Sequence, residues 1–320
     1  MSLFDEIREA AAEVARRARF VRIDEAGLEA LAATLTAETA PPPSQDPAHR
    51  PFADDATTIA FIVTIDAVNF GSGYFPHLKK REGKSGYFTI AGALEDHVRA
   101  HGALDAAALR AATAESCSVL FAQPLDDEAR AELMGLFALA WNELGERLDT
   151  QHGGSFATLV ASAEGSAEAL VRELARLPSY RDESVYDGEL RVPLYKRAQI
   201  TVSDLNEAFG GEGPGAFHDL DDLTMFADNL VPHVLRVEGA LRYDAGLLAR
   251  IEAGELLEVG SPEEIEIRAV GLHAVERLVA ACRARGLETN APSLDHRLWQ
   301  RGQDPRIKAH PRHRARCTFY

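Results

Sequence analysis

Apolar residues recur at steps of three and four along much of the chain, the spacing that places them on one face of an α-helix. The first such segment lies at the N-terminus, and its apolar positions are Phe4, Ile7, Ala11, Val14 and Ala18. A longer segment follows Asp126 and Asp127, either of which is a suitable helix cap. Its apolar positions are Leu133, Phe137, Trp141, Leu144 and Leu148. The pattern predicts an amphipathic helix in each segment.

Two more helices are predicted in the second half of the chain. The apolar face of the first consists of Ala198, Val202, Leu205 and Phe209. The glycine cluster at 210–215 must end it, because glycine is a poor helix former. In the second, Ser261 is a cap, Pro262 suits the first helical position and Glu264 completes a capping box. We expect that helix to stop at Gly286.

Signals for β-strands are few. Residues 57–65 are apolar and β-branched, which is typical of a buried strand, although a helix-rich chain offers it few partners. Segments 39–55 and 178–194 contain Pro, Ser and Asp and are expected to be ordered connections. We therefore predict a mostly α-helical fold with at most a small β element near 57–65. We expect a single compact domain over 1–320, with an N-terminal helical part, about 1–55, packed onto it.

Composition supports a folded protein with a substantial core. Of the 320 residues, 46% are hydrophobic and 26% are charged, which excludes disorder as the main state. The 34 Lys and Arg against 50 Asp and Glu give a net charge of −16, which repels the phosphate backbone of nucleic acids. We therefore expect no stable nucleic-acid partner.

The same sequence favours a cytoplasmic location. The N-terminus carries acidic residues from Asp5 onward and lacks the apolar stretch of a signal peptide, and no apolar run is long enough to span a membrane. Cys117, Cys282 and Cys317 lie far apart and form no CxxC pair, which indicates a reducing compartment. We expect a monomer with no membrane association.

Positive charge is concentrated near the C-terminus, where only Asp304 opposes it. The basic residues are Arg297, Arg301, Arg306, Lys308, Arg312, Arg314 and Arg316. They can pair with the acidic remainder of the protein, or they can form a phosphate site.

Several common catalytic motifs are missing. The chain has no GxGxxG after a strand, no GxxxxGK[ST] and no HExxH, so a dinucleotide fold, a P-loop enzyme and a zinc protease have no support. His310 and His313 lie among arginines that would repel a cation. No metal site is expected.

Polar residues in apolar surroundings are the better candidates. Asp228 follows Met225 and Phe226 and precedes a helix that Pro232 helps to start. Its carboxylate can cap that helix, or it can act on a developing positive charge beside an apolar wall.

A second candidate lies further along the chain. Asp295 and Trp299 are four residues apart, so they share one helix face and place a hydrogen-bond acceptor beside an indole ring. Such a pair suits an amidine-like base edge and its ring, although capping and packing explain it equally well.

Two further groups extend this set. Asp66 and Asn69 end the run at 57–65, with Phe70 next to them, which is typical of a pocket entrance or of a plain turn. Lys196 and Arg197 begin a helix, where positive charge opposes the helix dipole. That placement indicates paired or functional use, and an ordinary salt bridge is the alternative.

Several strings together resemble the queuosine salvage family of queuosine 5′-phosphate N-glycosylase/hydrolases. They are PSYRDESVYDGELRVPLYKRAQI, FHDLDDLTMFADNLVPHVL, GALRYDAGLL, EEIEIRA, LDHRLW and PRHRARCTFY, with GGSF before them. The resemblance extends from about Phe61 to Tyr320. It implies a mostly helical enzyme, similar in architecture to helical DNA glycosylases, that cleaves queuosine 5′-monophosphate into queuine and ribose 5-phosphate. It implies no metal and no organic cofactor.

The resemblance also implies roles for individual residues. Asp228 matches the essential aspartate, and Lys196 lies in the YKRAQI motif and is carried as a second catalytic residue. The residues that match the base pocket are Met225, Phe226, Leu294, Asp295 and Trp299, with His49 as a weaker match. With Asp66, Asn69 and Phe70, these are the expected substrate-binding residues.

Two functions of other classes stay open. A glycosylase or binding protein for tRNA or DNA would use the basic C-terminal stretch on the backbone, with steep salt dependence. A non-catalytic helical interaction protein would need no acid in an aromatic pocket.

Overall fold

Helices make up most of the structure, a computed structural model that describes residues 1–38, 46–49 and 52–320. Within these residues the helices are α1 (Leu3–Arg17), α2 (Glu25–Ala37), α3 (Asp55–Asp66), α4 (Gly86–His101), α5 (Ala106–Arg110), α6 (Ala114–Phe121), α7 (Glu128–His152), α8 (Phe156–Ala161), α9 (Ala167–Leu174), α10 (Lys196–Phe209), α11 (Val231–Val237), α12 (Ala245–Glu252), α13 (Pro262–Arg283), α14 (Ala291–Arg301) and α15 (Pro305–Lys308). The strands are β1 (Val21–Ile23), β2 (Glu183–Tyr186), β3 (Leu190–Pro193) and β4 (Leu241–Tyr243). The predicted mostly α-helical class is confirmed.

Among the described residues, strands form two small antiparallel pairs. β1 pairs with β4, with Val21 opposite Tyr243, and β2 pairs with β3, with Tyr186 opposite Leu190. The second pair is a hairpin in the segment 178–194, for which the sequence predicts an ordered connection. Asp187 and the glycine after it both have positive φ, as its turn requires.

The prediction of a β element near 57–65 is wrong, because these residues belong to α3. Asp54 caps the helix by accepting the N–H of Thr57, and residues 58–66 are all buried. A helix that is enclosed on every side carries no amphipathic stripe, so its sequence looks like a buried strand. Packing against α4 and α8 decides the conformation over β-branched propensity.

The four predicted amphipathic helices are confirmed. α1 carries the first apolar stripe, α7 begins directly after its cap Asp127, and α10 ends at Phe209 before the glycine cluster. α13 has Ser261 as its cap and Pro262 at its first position. The predicted capping box is only half formed, because the hydroxyl of Ser261 accepts the N–H of Glu264 whereas the carboxylate of Glu264 accepts the N–H of Gly260, one residue before the cap. The helix ends at Arg283, before the predicted stop at Gly286.

The described residues divide into two compact units. The first comprises 1–38, 182–196 and 221–316. Its centre is α13, against which α1, α2, α11, α14 and β1 pack. Residues 39–45 and 50–51, within the predicted N-terminal part and the expected connection at 39–55, lie outside the described residues.

The second unit comprises 46–49, 52–181, 197–220 and 317–320. The long helix α7 lies at its centre and packs against α5, α6 and α8. The Nε1 of Trp141 on α7 donates to the carbonyl of Thr64 on α3 at 3.0 Å. Within the described part of the chain, no helix combines the length and apolarity needed to cross a bilayer. The prediction of one domain over 1–320 stays a prediction.

Candidate active site

The segment before α11 forms an apolar wall from which one carboxylate emerges. Residues 223–227 and 229–231 are buried, whereas Asp228 keeps partial exposure. Its Oδ1 accepts the N–H groups of Leu230 and Val231 at 2.7 and 3.0 Å. No described residue donates a hydrogen bond to its Oδ2. One oxygen of Asp228 therefore caps the helix and the other is available, so the two alternatives raised by the sequence are compatible.

Asp295, on α14, lies against the same wall. Its Oδ2 accepts the N–H of Phe226 at 3.0 Å, and its side chain is 5% exposed. Burial, and then the charge of Asp228, raise the pKa of Asp295 well above its usual value, while the N–H of Phe226 and the charge of Lys196 oppose that rise. The two carboxyl groups therefore differ in character, because Asp295 favours its protonated form.

The apolar members of the predicted base pocket lie around these carboxyl groups. Met225 and Leu294 are fully buried, and Phe226 is 9% exposed. Trp299 is partly exposed on α14, one helical turn after Asp295. These five residues of the predicted base pocket all belong to the first unit.

Lys196 is the first residue of α10 and is buried at 5% exposure. Its backbone N–H donates to Oδ2 of Asp182 at 3.2 Å. Its positive charge opposes the rise in the pKa of Asp295. Tyr195, directly before it, has φ +48°, in the left-handed region that non-glycine residues rarely adopt.

Three of the seven basic residues in the C-terminal stretch, Arg297, Arg301 and Arg306, form ion pairs with described acidic residues. Arg301 pairs with Glu38 and Glu238, and Arg306 also pairs with Glu238. Arg314 donates to the carbonyl of Gly254 at 2.7 Å. Ion pairing with acidic residues therefore explains part of this stretch.

Arg312 differs from these neighbours. No described residue forms a hydrogen bond or salt bridge with its guanidinium. Burial lowers its pKa, and the negative charge of Asp228 works in the opposite direction. The residues that follow Asp228 and Arg312 contact each other, since Nδ2 of Asn229 donates to the carbonyl of His313 at 3.1 Å. Arg312 is thus a cation held near Asp228.

Four predicted site residues lie in the second unit. Nδ2 of Asn69 donates to Oδ1 of Asp66 at 3.3 Å, at the end of α3. The Phe70 ring is buried, 5.1 Å from the ring of Phe137 and 4.8 Å from the guanidinium of Arg197. Arg197 also donates to the carbonyls of residues 66, 67 and 179.

His49, the fourth, belongs to a charged cluster that the sequence did not indicate. Its Nε2 lies 3.0 Å from Oδ1 of Asp204, and the hydroxyl of Tyr87 donates to Asp46 at 2.8 Å. Burial opposes a charge on His49, yet Asp204 and then Asp46 raise its pKa to about 9. His49 is therefore cationic at neutral pH. Among the described residues no group of His, Cys, Asp and Glu is arranged to hold a metal ion.

The fold and this site define a mostly helical protein with two unlike carboxyl groups, a lysine and an arginine around an apolar wall, an arrangement typical of an enzyme. The family model described as queuosine salvage protein matches residues 49–320. The chain therefore belongs to the queuosine salvage family.

Two of its relatives match nearly the whole chain, and a third matches about half of it. A queuosine 5′-phosphate N-glycosylase/hydrolase from Sphaerobacter thermophilus is 36% identical over 313 residues, 96% of this chain and 95% of that protein. The protein of the same name from Bos taurus is 31% identical over 337 residues, 98% of each chain. The one from Mus musculus is 38% identical over 189 residues, 56% of each.

Proposed function

We propose that this protein is a hydrolase that cleaves the N-glycosidic bond of queuosine 5′-monophosphate and releases queuine and ribose 5-phosphate. Family membership and the names of its relatives supply the substrate. The observation that carries the chemistry is the Asp228 carboxylate, which two backbone N–H groups fix through one oxygen while the other is available.

Asp228 acts on the sugar. As the bond between the base and C1′ breaks, positive charge develops on the ribose, and a fixed carboxylate stabilises that state more than it stabilises the neutral substrate. Water then adds its hydroxyl group to C1′, and its other proton is taken up by the nitrogen of the departing base. Preorganisation by Leu230 and Val231 reduces the reorganisation that the carboxylate must undergo.

Asp295 and Trp299 hold the base. A 7-deazaguanine has carbon in place of the ring nitrogen that purines can protonate, so assistance must come from its other edges. Asp295 takes the two N–H donors of the amidine edge when it ionises, and Trp299 stacks on the ring. Met225, Phe226 and Leu294 exclude water around them.

Lys196 acts as the second catalytic residue. Its positive charge opposes the repulsion between Asp228 and Asp295, which keeps two carboxyl groups compatible in one site. For His49, Asp66, Asn69 and Phe70, the substrate-binding role stays a prediction from the sequence.

Arg312 is our candidate for the 5′-phosphate. A phosphate that leaves water needs charge-assisted donors, and Arg312 offers a guanidinium that no described residue occupies. Arg312→Gln should lower the preference in kcat/KM for the nucleotide over queuosine by about tenfold or more. Lys308→Gln, an exposed charge removal in the same segment, is the control. Equal loss on nucleotide and nucleoside would show that Arg312 does not contact the phosphate.

We further propose that the protein works as a cytoplasmic monomer on a small-molecule substrate, without a cofactor and without a stable nucleic-acid partner. A net charge of −16 and three buried free cysteines support this setting. Sedimentation equilibrium tests the monomer, and a dimer at micromolar concentration would contradict it.

Substrate choice tests the function directly. The protein is incubated separately with queuosine 5′-monophosphate, queuosine and queuosine-containing tRNA, and free queuine is measured by mass spectrometry. We expect fastest release from the nucleotide. Fastest release from tRNA would favour a nucleic-acid glycosylase, and no release from any substrate would favour a non-catalytic protein.

A further inference from the structure

A buried ion pair joins the backbones of two candidate catalytic residues. Arg268 on α13 and Asp182 directly before β2 are 1% and 2% exposed. The guanidinium donates to both oxygens of Asp182, at 2.9 and 2.6 Å. Its Nε donates to the carbonyl of Ala227 at 2.9 Å. One side chain of α13 therefore fixes the peptide group that immediately precedes Asp228.

Asp182 holds the other end. Its Oδ2 also accepts the N–H of Lys196 at 3.2 Å, and its carbonyl accepts the N–H of Leu194 at 2.9 Å. Between these two bonds lies Tyr195, whose left-handed backbone is strained for a residue with a side chain. Asp182 thus secures the strained turn from which Lys196 starts α10.

Fold stability alone is a weak explanation for this pair. Burying two charges is costly, and well-packed apolar residues often replace such a pair without loss of stability. The bidentate geometry instead fixes direction as well as distance. Because small displacements of catalytic groups lower rates strongly, a device that sets two backbones at once suits a site that needs precise placement.

We propose that Arg268 and Asp182 are positioning residues that set the Asp228 carboxylate and the Lys196 ammonium relative to each other. The inference rests on the proposed hydrolysis of queuosine 5′-monophosphate. The two residues act through the peptide groups at 227 and 196, so their loss should disturb transition-state stabilisation more than ground-state binding. kcat should therefore fall while KM changes little.

Two variants test the inference. Asp182→Leu and Glu264→Gln combined with Arg268→Met keep side-chain bulk and remove all three buried charges, because Nη1 of Arg268 also donates to Oε1 of Glu264 at 3.4 Å. Arg268→Lys keeps a charge but loses the planar fork. We expect both to fold, judged by circular dichroism and denaturant unfolding. The triple variant should lose roughly 10- to 100-fold in kcat, and Arg268→Lys about tenfold, with KM within about threefold of wild type.

A second bidentate pair on α13 provides the control. Arg277 donates to both carboxylate oxygens of Glu25 at 2.6 and 2.7 Å, near the protein surface. Glu25→Gln combined with Arg277→Met should leave kcat unchanged. Wild-type kcat in either folded Arg268 variant would overturn the inference, as would loss of folding in both, because the pair would then be purely structural. An inactive wild type would instead overturn the proposed function.

Discussion

At the scale of single residues, the structure separates side chains that the sequence could identify from those it could not. Asp228, Asp295 and Lys196 stand out in sequence as polar groups in apolar surroundings, and their charges act on one another in the fold. Arg268 could not be found in this way. It contacts Ala227 and Asp182, 41 and 86 residues away, and helical periodicity carries no information about such pairings.

Binding of queuine should release a proton from Asp295. The pKa of Asp295 is raised in the ligand-free protein, and the two N–H donors of the base edge would lower it again. Affinity should therefore increase as the pH rises towards the pKa of the free protein. Calorimetry in two buffers of different ionisation enthalpy measures this, with up to about one proton released per queuine.

Asp295→Asn is the matched variant, because it keeps the shape and cannot titrate. On binding queuine, this variant should release up to about one proton fewer than wild type. An identical proton count in the two proteins would show that Asp295 does not change its ionisation on binding.

His233 should make the protein sensitive to mild acid. Its Nε2 donates to the carbonyl of Ile307 and its Nδ1 accepts from Arg236, so both nitrogens are used by the neutral ring. Burial lowers the pKa of His233 from 6.5 to about 4. The unfolded chain therefore binds more protons between these values, and stability should fall as the pH drops from about 7 towards 4.

His233→Gln tests this, since an amide can donate and accept without titrating. Between pH 7.5 and pH 5, wild type should lose roughly 2 kcal/mol more unfolding free energy than the variant. Urea unfolding at both pH values gives the comparison. Parallel pH dependence of the two proteins would mean that His233 contributes nothing to acid sensitivity.

At the scale of elements, periodicity predicted the amphipathic helices and failed where burial is complete. α1, α7 and α10 expose part of one face, and α13 does so mainly after residue 272, which produces the stripe that the sequence shows. Residues 264–272 of α13 are all buried, and there the helix was indicated by its cap Ser261 and by Pro262. α3 is buried on all faces from residue 58 to residue 66. Its conformation therefore depends on the elements packed around it, which a sequence pattern does not show. The hairpin of β2 and β3 did carry a local signal, the pair Asp187 and Gly188, which is typical of a tight turn between strands.

Alanine substitution at two helix glycines, Gly27 and Gly135, should change stability in opposite directions. A Cβ on Gly27, in the first turn of α2, would lie 1.9 Å from the carbonyl oxygen of Gly239. Gly27→Ala should therefore lower the unfolding free energy by about 1 to 3 kcal/mol. At Gly135 in α7, no described residue outside the helix backbone has a heavy atom within 4 Å of an added Cβ.

Gly135→Ala should accordingly raise stability by about 0.5 to 1 kcal/mol, because alanine loses less backbone entropy in a helix. Denaturant unfolding of the two variants and of wild type measures both changes in unfolding free energy. Stabilisation by Gly27→Ala would contradict the close approach of α2 to Gly239.

At the scale of the whole molecule, acidic residues of the protein itself neutralise part of the basic C-terminal stretch. Glu38 and Glu238 accept ion pairs from Arg301, and Glu238 also from Arg306. Net charge could predict poor affinity for nucleic acid, but it could not tell which cation stays available. Arg312 emerges only when the chain folds and brings His313 to Asn229.

The central claim is that the charge of Asp228 drives cleavage of the nucleotide. Asp228→Asn keeps an oxygen that can accept the N–H groups of Leu230 and Val231, so the helix cap and the fold should persist. Asp105→Asn is the control, because Asp105 caps α5 through the N–H of Ala108 in the same way. The comparison therefore separates loss of charge from loss of a cap.

The most direct measurement is kcat for queuine release from queuosine 5′-monophosphate by wild type, Asp228→Asn and Asp105→Asn. We expect a loss of roughly 100-fold or more in Asp228→Asn, because the cationic transition state loses its counter-charge. Asp105→Asn should match wild type. Near wild-type kcat in a folded Asp228→Asn protein would contradict the account.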